Sequence, residues 1–413
     1  MKTKKIVLGF QHLLAMFGAT VLVPILTGLN PSLALLSAGI GTLIFHLTTK
    51  LKVPVFLGSS FAFIGAISII NKSQGIAVVK GGIIFAGLVY ILLSLITYKV
   101  GVEKIQQFFP KIVVGPIIIV IGLRLAPVAI NMATLDSNGH YSLPIIIISL
   151  SVLITMIIIS ILEKGFFKLV PIIVSIFIGF IVALILQSLN LYHIPNLTVL
   201  KEAGWLGLPK DAMKHLLTLP KFTASGIVAI APIALVVFVE HIGDITTNGT
   251  VVGKNFLIDP GLHRTILGDG FATIAAGVIG GPANTTYAEN TGVLAITKVY
   301  DPSILRIAAV FAILLSLCGK FGAFLQVIPS PIMGGVSTIL FGMIASIGLR
   351  TLLESDLDFS HSKNLIISSV ILVFGIGISA LPVQFMNSTL EISGLTLAAL
   401  SGVILNQLLP DSI

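Results

Sequence analysis

Long apolar runs, separated by short polar connections, make up most of the chain. A run of about 20 residues at helical rise is enough to cross a hydrocarbon core of about 30 Å. The pattern therefore predicts an all-α integral membrane protein with about fourteen transmembrane segments. These predicted segments cover residues 7–27, 33–48, 54–71, 76–98, 109–132, 143–162, 166–187, 223–245, 262–281, 285–299, 303–328, 330–348, 364–380 and 390–409.

The basic side chains divide unequally between the two sides of the predicted membrane. If the N-terminus is cytoplasmic, the lysines and arginines of the short connections fall mostly on the cytoplasmic side, in agreement with the positive-inside rule. The outer connection 133–142 has no lysine or arginine. We therefore expect a multi-pass protein of the cytoplasmic membrane, and an even number of segments places both termini in the cytoplasm.

The longest polar connection runs from about residue 190 to residue 223 and departs from this rule. It lies on the outer side in the expected orientation, and it contains the only tryptophan of the chain, Trp205. It also carries four lysines, at positions 201, 210, 214 and 221.

Composition excludes a soluble globular protein and argues against a nucleic-acid partner. Hydrophobic residues make up 56% of the chain and charged residues only 10%, against about 25% charged in soluble domains. The formal net charge is +8, but the basic residues are scattered between apolar runs and form no stripe with interleaved aromatics. The expected partners are therefore membrane lipid and a transported solute.

The third and tenth segments are short, are interrupted by glycine or proline, and carry polar residues where a lipid-facing helix would not. The two segments also resemble each other at an offset of 226 residues (285 − 59). A second similarity, at an offset of 219 (329 − 110), relates Pro110, Gly115 and Pro116 to Pro329, Gly334 and Gly335. The first matched pair is Ser59-Ser60-Phe61-Ala62 and Thr285-Thr286-Tyr287-Ala288.

These similarities indicate two repeats of seven segments each. Because seven is odd, the two halves enter the membrane from opposite sides, so the repeat is inverted. Inverted repeats with broken helices at corresponding positions are typical of secondary transporters, whose substrate site lies between the broken helices. Backbone N–H groups that a broken helix leaves free can face a ligand there instead of lipid.

Ionisable side chains inside membrane segments are expensive, and the eighth segment has the densest set. Glu240 and Asp244 are one helical turn apart, and His241 completes a face of about 100°. One alternative places this cluster at the cytoplasmic mouth, solvated and inert. Another is a metal or hydrolytic site, but the order H-E-x-x-H is absent and no third ligand is evident. We therefore expect neither a metal site nor an enzyme.

The tenth segment adds Glu289 directly after its break. Two carboxylates and free backbone amides suit a flat heterocycle, since carboxylates accept from ring N–H groups and amides donate to carbonyls. Phe61 and Tyr287 either flank such a ring or only pack between helices. His12, in the first segment, either joins the polar network or bonds to a neighbouring helix. Carboxylates withdrawn from water can exchange protons near neutral pH, which makes proton coupling an expectation.

These residues also resemble a known family. Over nearly its whole length the chain is similar to the nucleobase/ascorbate transporters, and within them to the uracil-transporting branch. The most specific matches are Gln11-His12-Leu13-Leu14-Ala15-Met16-Phe17-Gly18-Ala19-Thr20, Leu57-Gly58-Ser59-Ser60-Phe61-Ala62-Phe63, Asp259-Pro260-Gly261-Leu262-His263-Arg264, and Glu289-Asn290-Thr291-Gly292 running to Thr297-Lys298.

The resemblance implies an architecture of two domains. A core domain would comprise segments 1–4 (residues 1–100) and segments 8–11 (residues 223–328). A gate domain would comprise segments 5–7 with the long outer connection (residues 101–222) and segments 12–14 (residues 329–413). It also implies homodimers in which the core moves against the gate like an elevator.

The resemblance further implies a substrate site. The positions of Glu240 and Glu289 would hold a pyrimidine by its ring nitrogens, and backbone amides at Phe61 and Ala288 would meet its carbonyls. Tyr287 and Ala19 would line the pocket. The expected proton-handling residues are Glu240, His241, Asp244 and His12, with H⁺ as the coupling ion and no other cofactor.

Two departures keep a second substrate class open. Asp244 stands where uracil-transporting relatives have histidine, as in many purine transporters, and Ala288 stands where they have glycine. Purine transporters, however, usually carry glutamine at the position of Glu289. We therefore expect a uracil:H⁺ symporter and keep a xanthine or uric acid symporter as the alternative. An anion exchanger of similar architecture would need cationic groups where this site has carboxylates.

Overall fold

The computed structural model describes residues 2–162, 170–194, 197–355, 357–385 and 388–410. The predicted start of the seventh segment, residues 166–169, lies outside the described residues. The described elements are α1 Lys2–Thr27, α2 Pro31–Thr48, β1 Leu57–Ser59, a 3₁₀ turn Phe61–Phe63, α3 Ile64–Gln74, α4 Ile76–Val100, α5 Val102–Phe108, α6 Lys111–Arg124, α7 Ala126–Thr134, α8 Leu143–Leu162, α9 Pro171–Ser188, α10 Leu197–Glu202, α11 Lys210–Leu217, α12 Ala224–Ile230, α13 Ile233–Val252, a π turn Leu257–Gly261, α14 Leu262–Ile279, β2 Asn284–Thr286, α15 Ala288–Thr297, α16 Pro302–Ser316, α17 Gly319–Gln326, α18 Ser330–Leu353, α19 Ser362–Gly377, β3 Ala380–Phe385, β4 Ser388–Ser393 and α20 Gly394–Leu408.

Each of the fourteen predicted segments contains helix, and the prediction of a polytopic helical membrane protein is confirmed. Among the described residues, eight spans are long and apolar enough to cross a membrane, and a ninth is α16 with α17, which meet at a bend of 82°. Hydrocarbon offers the backbone no partners, so long apolar runs become helices. The shorter or more polar helices of the remaining segments are α3, α14, α15, α19 and α20.

Two small antiparallel sheets add to the expected helices. The first joins β1 and β2, and the second is the hairpin of β3 and β4 between α19 and α20. The predicted fourteenth segment therefore begins too early, because residues 390–393 belong to β4. The signal was a local alternation of apolar and polar residues with a period of two, as in Leu390-Glu391-Ile392, which is typical of a strand.

The helices pack in two groups, and the candidate site lies where these groups meet. In one group α14 packs along α2 and α4, and α16 packs along α1 and α2; in the other, α6 packs on α18 and α19, α19 on α20, and α8 on α9 and α18. Glycines allow this close packing. A Cβ at Gly122 of α6 would lie 2.4 Å from the carbonyl oxygen of Phe341 in α18. The N-caps of α6 and α18 are Pro110 and Pro329, the residues of the second similarity.

Candidate functional site

The two broken segments meet through an antiparallel strand pair, with Leu57 opposite Thr286 and Ser59 opposite Asn284. Two further backbone bonds extend the pairing: Ser60 N–H donates to the carbonyl of Ala283 at 2.9 Å, and Tyr287 N–H donates to that of Phe56 at 3.0 Å. The prediction of short broken segments 3 and 10 is confirmed. Their strands begin 227 residues apart (284 − 57), one more than the offset of the sequence match.

Each strand leads into a helix whose first turn points its free N–H groups toward the strand pair. The 3₁₀ turn before α3 begins at Phe61, and α15 begins at Ala288. Neither N-cap residue, Ser60 or Tyr287, makes a side-chain capping hydrogen bond. First-turn amides have no partner inside the helix, so those of Phe61 and Ala288 are suitable donors to a ligand carbonyl.

Tyr287 braces β1 against α1. Its hydroxyl donates to the carbonyl of Ser59 at 2.9 Å, and the Ser59 hydroxyl donates to the carbonyl of Thr20 at 3.1 Å. A Cβ at Gly58 would lie 2.3 Å from the Tyr287 ring, so this contact requires glycine. Ala19, next to Thr20, is buried in the same apolar cluster as Tyr287 and Phe61.

Buried polar side chains of α2 and α14 hold the strands from behind. Thr42 accepts a hydrogen bond from Leu57 N–H at 2.9 Å, and the Asn284 amide donates to the carbonyl of Ser37 at 3.1 Å. Thr273 donates to the carbonyl of Asn284 at 3.2 Å. Sequence reasoning missed these residues, although polar positions inside apolar segments were the available signal.

Three carboxylates approach the strand pair from α13 and α15. Glu240, Asp244 and Glu289 are all half-buried, and Glu240 lies within electrostatic range of both Asp244 and Glu289. The hydroxyl of Thr286, in β2, donates to Oδ2 of Asp244 at 2.8 Å. The structure thus brings the two predicted substrate ligands together with Asp244, beside the free helix ends.

His241 contacts α14. Its Nδ1 lies 2.8 Å from Oδ2 of Asp269, and its Nε2 lies 2.9 Å from the Thr265 hydroxyl. The imidazole is 1% exposed. Asp269 was missed by the sequence reasoning, although a carboxylate within the ninth apolar segment is itself a signal.

His12 contacts the start of α15. The side-chain amide of Asn290 donates to the His12 carbonyl at 3.0 Å and lies 3.2 Å from its Nδ1. Asn290 directly follows Glu289, so His12 is connected to the helix that carries this carboxylate. This contact is a hydrogen bond to a neighbouring helix, and participation of His12 in a polar network stays a prediction.

Phe61 lies where the two helix groups meet. Its ring contacts that of Phe341 in α18 edge to face, with centroids 5.8 Å apart. Tyr287 is also buried, so both predicted ring-flanking residues lie inside the bundle. Within the part of the chain that the structure describes, no group of three or more His, Cys, Asp or Glu residues is arranged to hold a metal ion.

Solved membrane transporters share this fold. The transmembrane domain of the cyanobacterial bicarbonate transporter BicA superimposes with a TM-score of 0.66 at 17% identity, over 96% of each chain. The structure of SLC26A9 gives a TM-score of 0.69 at 11% identity, over 97% of this chain and 64% of that one. At such low identity the likeness concerns the fold alone, and it confirms the predicted fold.

Sequence comparison identifies much nearer relatives. A protein of Haemophilus influenzae named probable uracil permease is 43% identical over 100% of this chain and 95% of its own length. The uracil permease of Bacillus caldolyticus is 44% identical over 98% and 92%, and that of Escherichia coli is 41% identical over 96% and 89%. Residues 3–384 match the family described as the permease family, Xan_ur_permease. The chain therefore belongs to this permease family, the nucleobase/ascorbate transporters.

Proposed function

We propose that this protein imports uracil together with protons by alternating access, and that it transports its substrate without converting it. The observation that carries the proposal is the packing of α13, which carries Glu240, against the 3₁₀ turn that begins at Phe61 and against α15, which carries Glu289. The high identity to several proteins named uracil permease supports the choice of substrate.

Uracil has two ring N–H donors and two carbonyl acceptors in one plane. The carboxylates of Glu240 and Glu289 accept from the ring nitrogens, and the amides of Phe61 and Ala288 donate to the carbonyls. Charge-assisted hydrogen bonds of this kind are about twice as strong as neutral ones. Tyr287 and Ala19 line the pocket.

The proton is handled by the polar groups around these carboxylates. Asp244 lies one helical turn from Glu240 and accepts a hydrogen bond from Thr286 of β2. A change in the charge of Asp244 therefore alters a contact with β2 directly. His241 acts through Asp269, its neighbour on α14. His12 acts through Asn290. H⁺ is the coupling ion, with no further cofactor.

Transport moves a core domain against a gate domain. The core comprises residues 1–100 and 223–328, and the gate comprises residues 101–222 and 329–413. The denser helix packing within each group than between them supports this division. The protein works as a homodimer in the cytoplasmic membrane, with both termini in the cytoplasm.

A xanthine or uric acid symporter is the second candidate, and Asp244 is the observation that favours it. A carboxylate one turn after Glu240 provides an acceptor suited to the additional ring N–H groups of a purine. The two candidates differ in which base competes for uptake, so one experiment separates them.

The test is uptake of radiolabelled uracil and, separately, of xanthine into proteoliposomes containing the purified protein, with and without an imposed inward proton gradient. We expect gradient-driven uracil uptake that excess xanthine does not compete away. Xanthine uptake without uracil uptake would assign the protein to the purine branch, and uptake of neither would refute the nucleobase assignment.

Two variants connect the result to the site. Glu240→Gln and Glu289→Gln each replace an acceptor oxygen by an amide donor of similar size, so each should abolish uptake. Glu103→Gln, at an exposed position of α5, is the matched control and should transport normally. Thermal unfolding of each variant in detergent confirms that any loss of uptake is not a loss of fold.

A further inference from the structure

The outer connection between the seventh and eighth segments has an unusual surface. Within the connecting segment, here residues 197–222, several large apolar side chains are exposed although no membrane span includes them. Trp205 is 75% exposed, Leu206 93% and Leu219 82%. A protein surface in water rarely exposes so many large apolar groups together, and such patches mark an interaction surface.

Helix α11 of this segment has three distinct sides. Ala212 is buried, and the helix packs against α2 and α14. Met213 and Leu217, four residues apart, form an exposed apolar stripe about 100–140° around the helix from Ala212. Lys210 and Lys214, also four residues apart, are exposed directly beside that stripe.

The segment carries a positive charge. It has four lysines, at positions 201, 210, 214 and 221, but only two acidic side chains, Glu202 and Asp211. Apolar side chains with neighbouring lysines and a tryptophan are the composition of a segment that lies in a membrane interface. Lysine stems can lie along apolar surface while the ammonium groups remain at the level of the headgroups.

Two sets of hydrogen bonds from lysine side chains hold the connecting segment against the ends of membrane spans. The ammonium of Lys80, whose side chain is 1% exposed, donates to the carbonyls of His215, Leu216 and Thr218 at 3.0, 3.2 and 2.6 Å. These carbonyls end α11, where a cation is favoured by the helix dipole. Lys80 lies about one helical turn inside α4, so the end of α11 lies beside the first turns of this span.

The second contact is at the other end of the segment. Lys320, in α17, donates to the carbonyls of Leu200 and Lys201 at 2.8 and 3.0 Å, and Gly207 N–H donates to the carbonyl of Leu317 at 2.8 Å. The segment is thus bound along the ends of several spans, with its apolar side chains directed away from them.

We infer that the connecting segment lies in the outer membrane interface, with Trp205, Leu206 and the α11 stripe among the lipid glycerol and upper acyl groups and its lysines on anionic phospholipid headgroups. The net positive charge of the segment is complementary to such headgroups. A second copy of the chain is disfavoured as the occupant, because a two-fold interface would bring two surfaces of net positive charge together.

Trp205 tests this directly, because it is the only tryptophan of the chain. The intact protein is placed in nanodiscs of phosphatidylcholine, with or without phosphatidylglycerol, whose acyl chains carry bromine near the glycerol or near the bilayer centre. We expect blue-shifted emission that shallow bromine quenches several-fold more than deep bromine, and weak quenching by acrylamide. The shallow quenching should increase when phosphatidylglycerol is present.

Other outcomes overturn the inference. Strong acrylamide quenching without bromine quenching would place Trp205 in water, and resistance to both quenchers would show that protein covers it. The variant Lys210→Gln/Lys214→Gln should lose the increase caused by phosphatidylglycerol, whereas Lys72→Gln, at an exposed position at the end of α3, should keep it. Absence of that increase in the unsubstituted protein would refute the role of anionic headgroups. None of these readouts depends on the transported substrate.

Discussion

The imidazole of His241 and the carboxyl group of Asp269 lie 2.8 Å apart, and both side chains are 1% exposed. They join α13, which carries Glu240 and Asp244, to α14, which holds the strand pair from behind. A polar pair so far from water is a strong orientational constraint, because neither partner has a substitute acceptor or donor in solvent. The pair therefore fixes the orientation of α13 relative to β1 and β2.

Removing one partner of this pair should destabilise the fold. We expect Asp269→Ala to lower the free energy of unfolding by about 3 kcal/mol, since it leaves the other partner buried without its counterpart. The measurement is thermal or chemical unfolding of the purified protein in detergent. Thr265→Val, which removes the hydroxyl 2.9 Å from the other ring nitrogen, should have a smaller effect of about 1 kcal/mol. Equal effects of the two substitutions would contradict the importance assigned to Asp269.

A methyl group at Gly58 should disturb transport while leaving the helices intact. Its Cβ would lie 2.3 Å from two carbons of the Tyr287 ring, so Tyr287 must move away from Ser59. Overpacking of this kind typically costs 1–3 kcal/mol, and we expect uracil uptake by Gly58→Ala to fall roughly ten-fold. In Gly243→Ala the Cβ would meet no atom within 4 Å, and this control should keep normal uptake. Uptake by Gly58→Ala equal to that of the control would contradict the role given to Tyr287.

Arg124 holds the hairpin of β3 and β4 at its base. Its guanidinium donates to the Ser393 hydroxyl at 3.2 Å and to the carbonyl of Ser379, at the two ends of the hairpin. Hydrogen bonds from charged groups contribute about 1.5–3 kcal/mol. We therefore expect Arg124→Gln to accelerate amide hydrogen exchange in residues 380–385 by about ten-fold or more. Arg350→Gln, which removes only an exposed 3.7 Å ion pair with Glu354, should leave this exchange unchanged.

Asp301 links the start of α16 to the N-terminal helix, and it makes this contact sensitive to acid. The hydrogen bond from Lys5 and the bonds from Ser303 lower the pKa of the Asp301 carboxyl to about 2. A lowered pKa means that the stabilisation is complete above the unfolded value of about 4 and is lost as the pH falls toward 2. We expect Asp301→Ala to lower stability by about 1 kcal/mol at pH 7, through the lost N-cap.

The pH dependence of the stability lost in Asp301→Ala tests whether the ionised carboxylate is responsible. The difference in melting temperature between the original protein and Asp301→Ala should stay constant from pH 7 to about pH 5 and decrease below about pH 4. Lys5→Gln keeps the cap but removes the half-exposed 2.5 Å ion pair, so its effect should be smaller, within about 1 kcal/mol. A difference that increases on acidification would contradict the assignment.

The membrane fold could be predicted because lipid offers the backbone no hydrogen-bond partners. Every long apolar run had to become a helix, and the interruptions around Gly58 and Pro282 could only be accommodated inside protein. Glu240 and Glu289 could also be identified, because a carboxylate inside a membrane segment is energetically costly and therefore indicates a functional site.

The register of the strand pair could not be predicted. Three-residue strands have too little side-chain periodicity to define a partner, and their pairing depends on how α2 and α14 place Thr42 and Asn284 behind them. For this reason the sequence match aligned Phe61 with Tyr287, whereas the helix starts align Phe61 with Ala288. A difference of one residue decides which amide is free for a ligand.

The direction of His241 was also beyond the sequence. Its spacing places it on one broad face with Glu240 and Asp244, but the contact with Asp269 depends on the packing of α13 against α14. Asp269 itself was visible as an isolated carboxylate in an apolar run. The hairpin of β3 and β4 was missed because most of it falls in the predicted connection 381–389, and residues 390–393 were assigned to the start of a helix.

The strand pair also constrains how the protein is made. Leu57 pairs with Thr286, 229 residues later in the chain (286 − 57), so β1 is synthesised long before its partner exists. At about 5–20 residues per second, the ribosome needs roughly 10–50 s to supply β2. During this interval the polar backbone of the third segment has no strand to pair with, and the nascent chain depends on water or on the insertion machinery to shield it. The ligand site therefore cannot form until β2 and α15 have been synthesised, although β1 has by then existed for most of that interval.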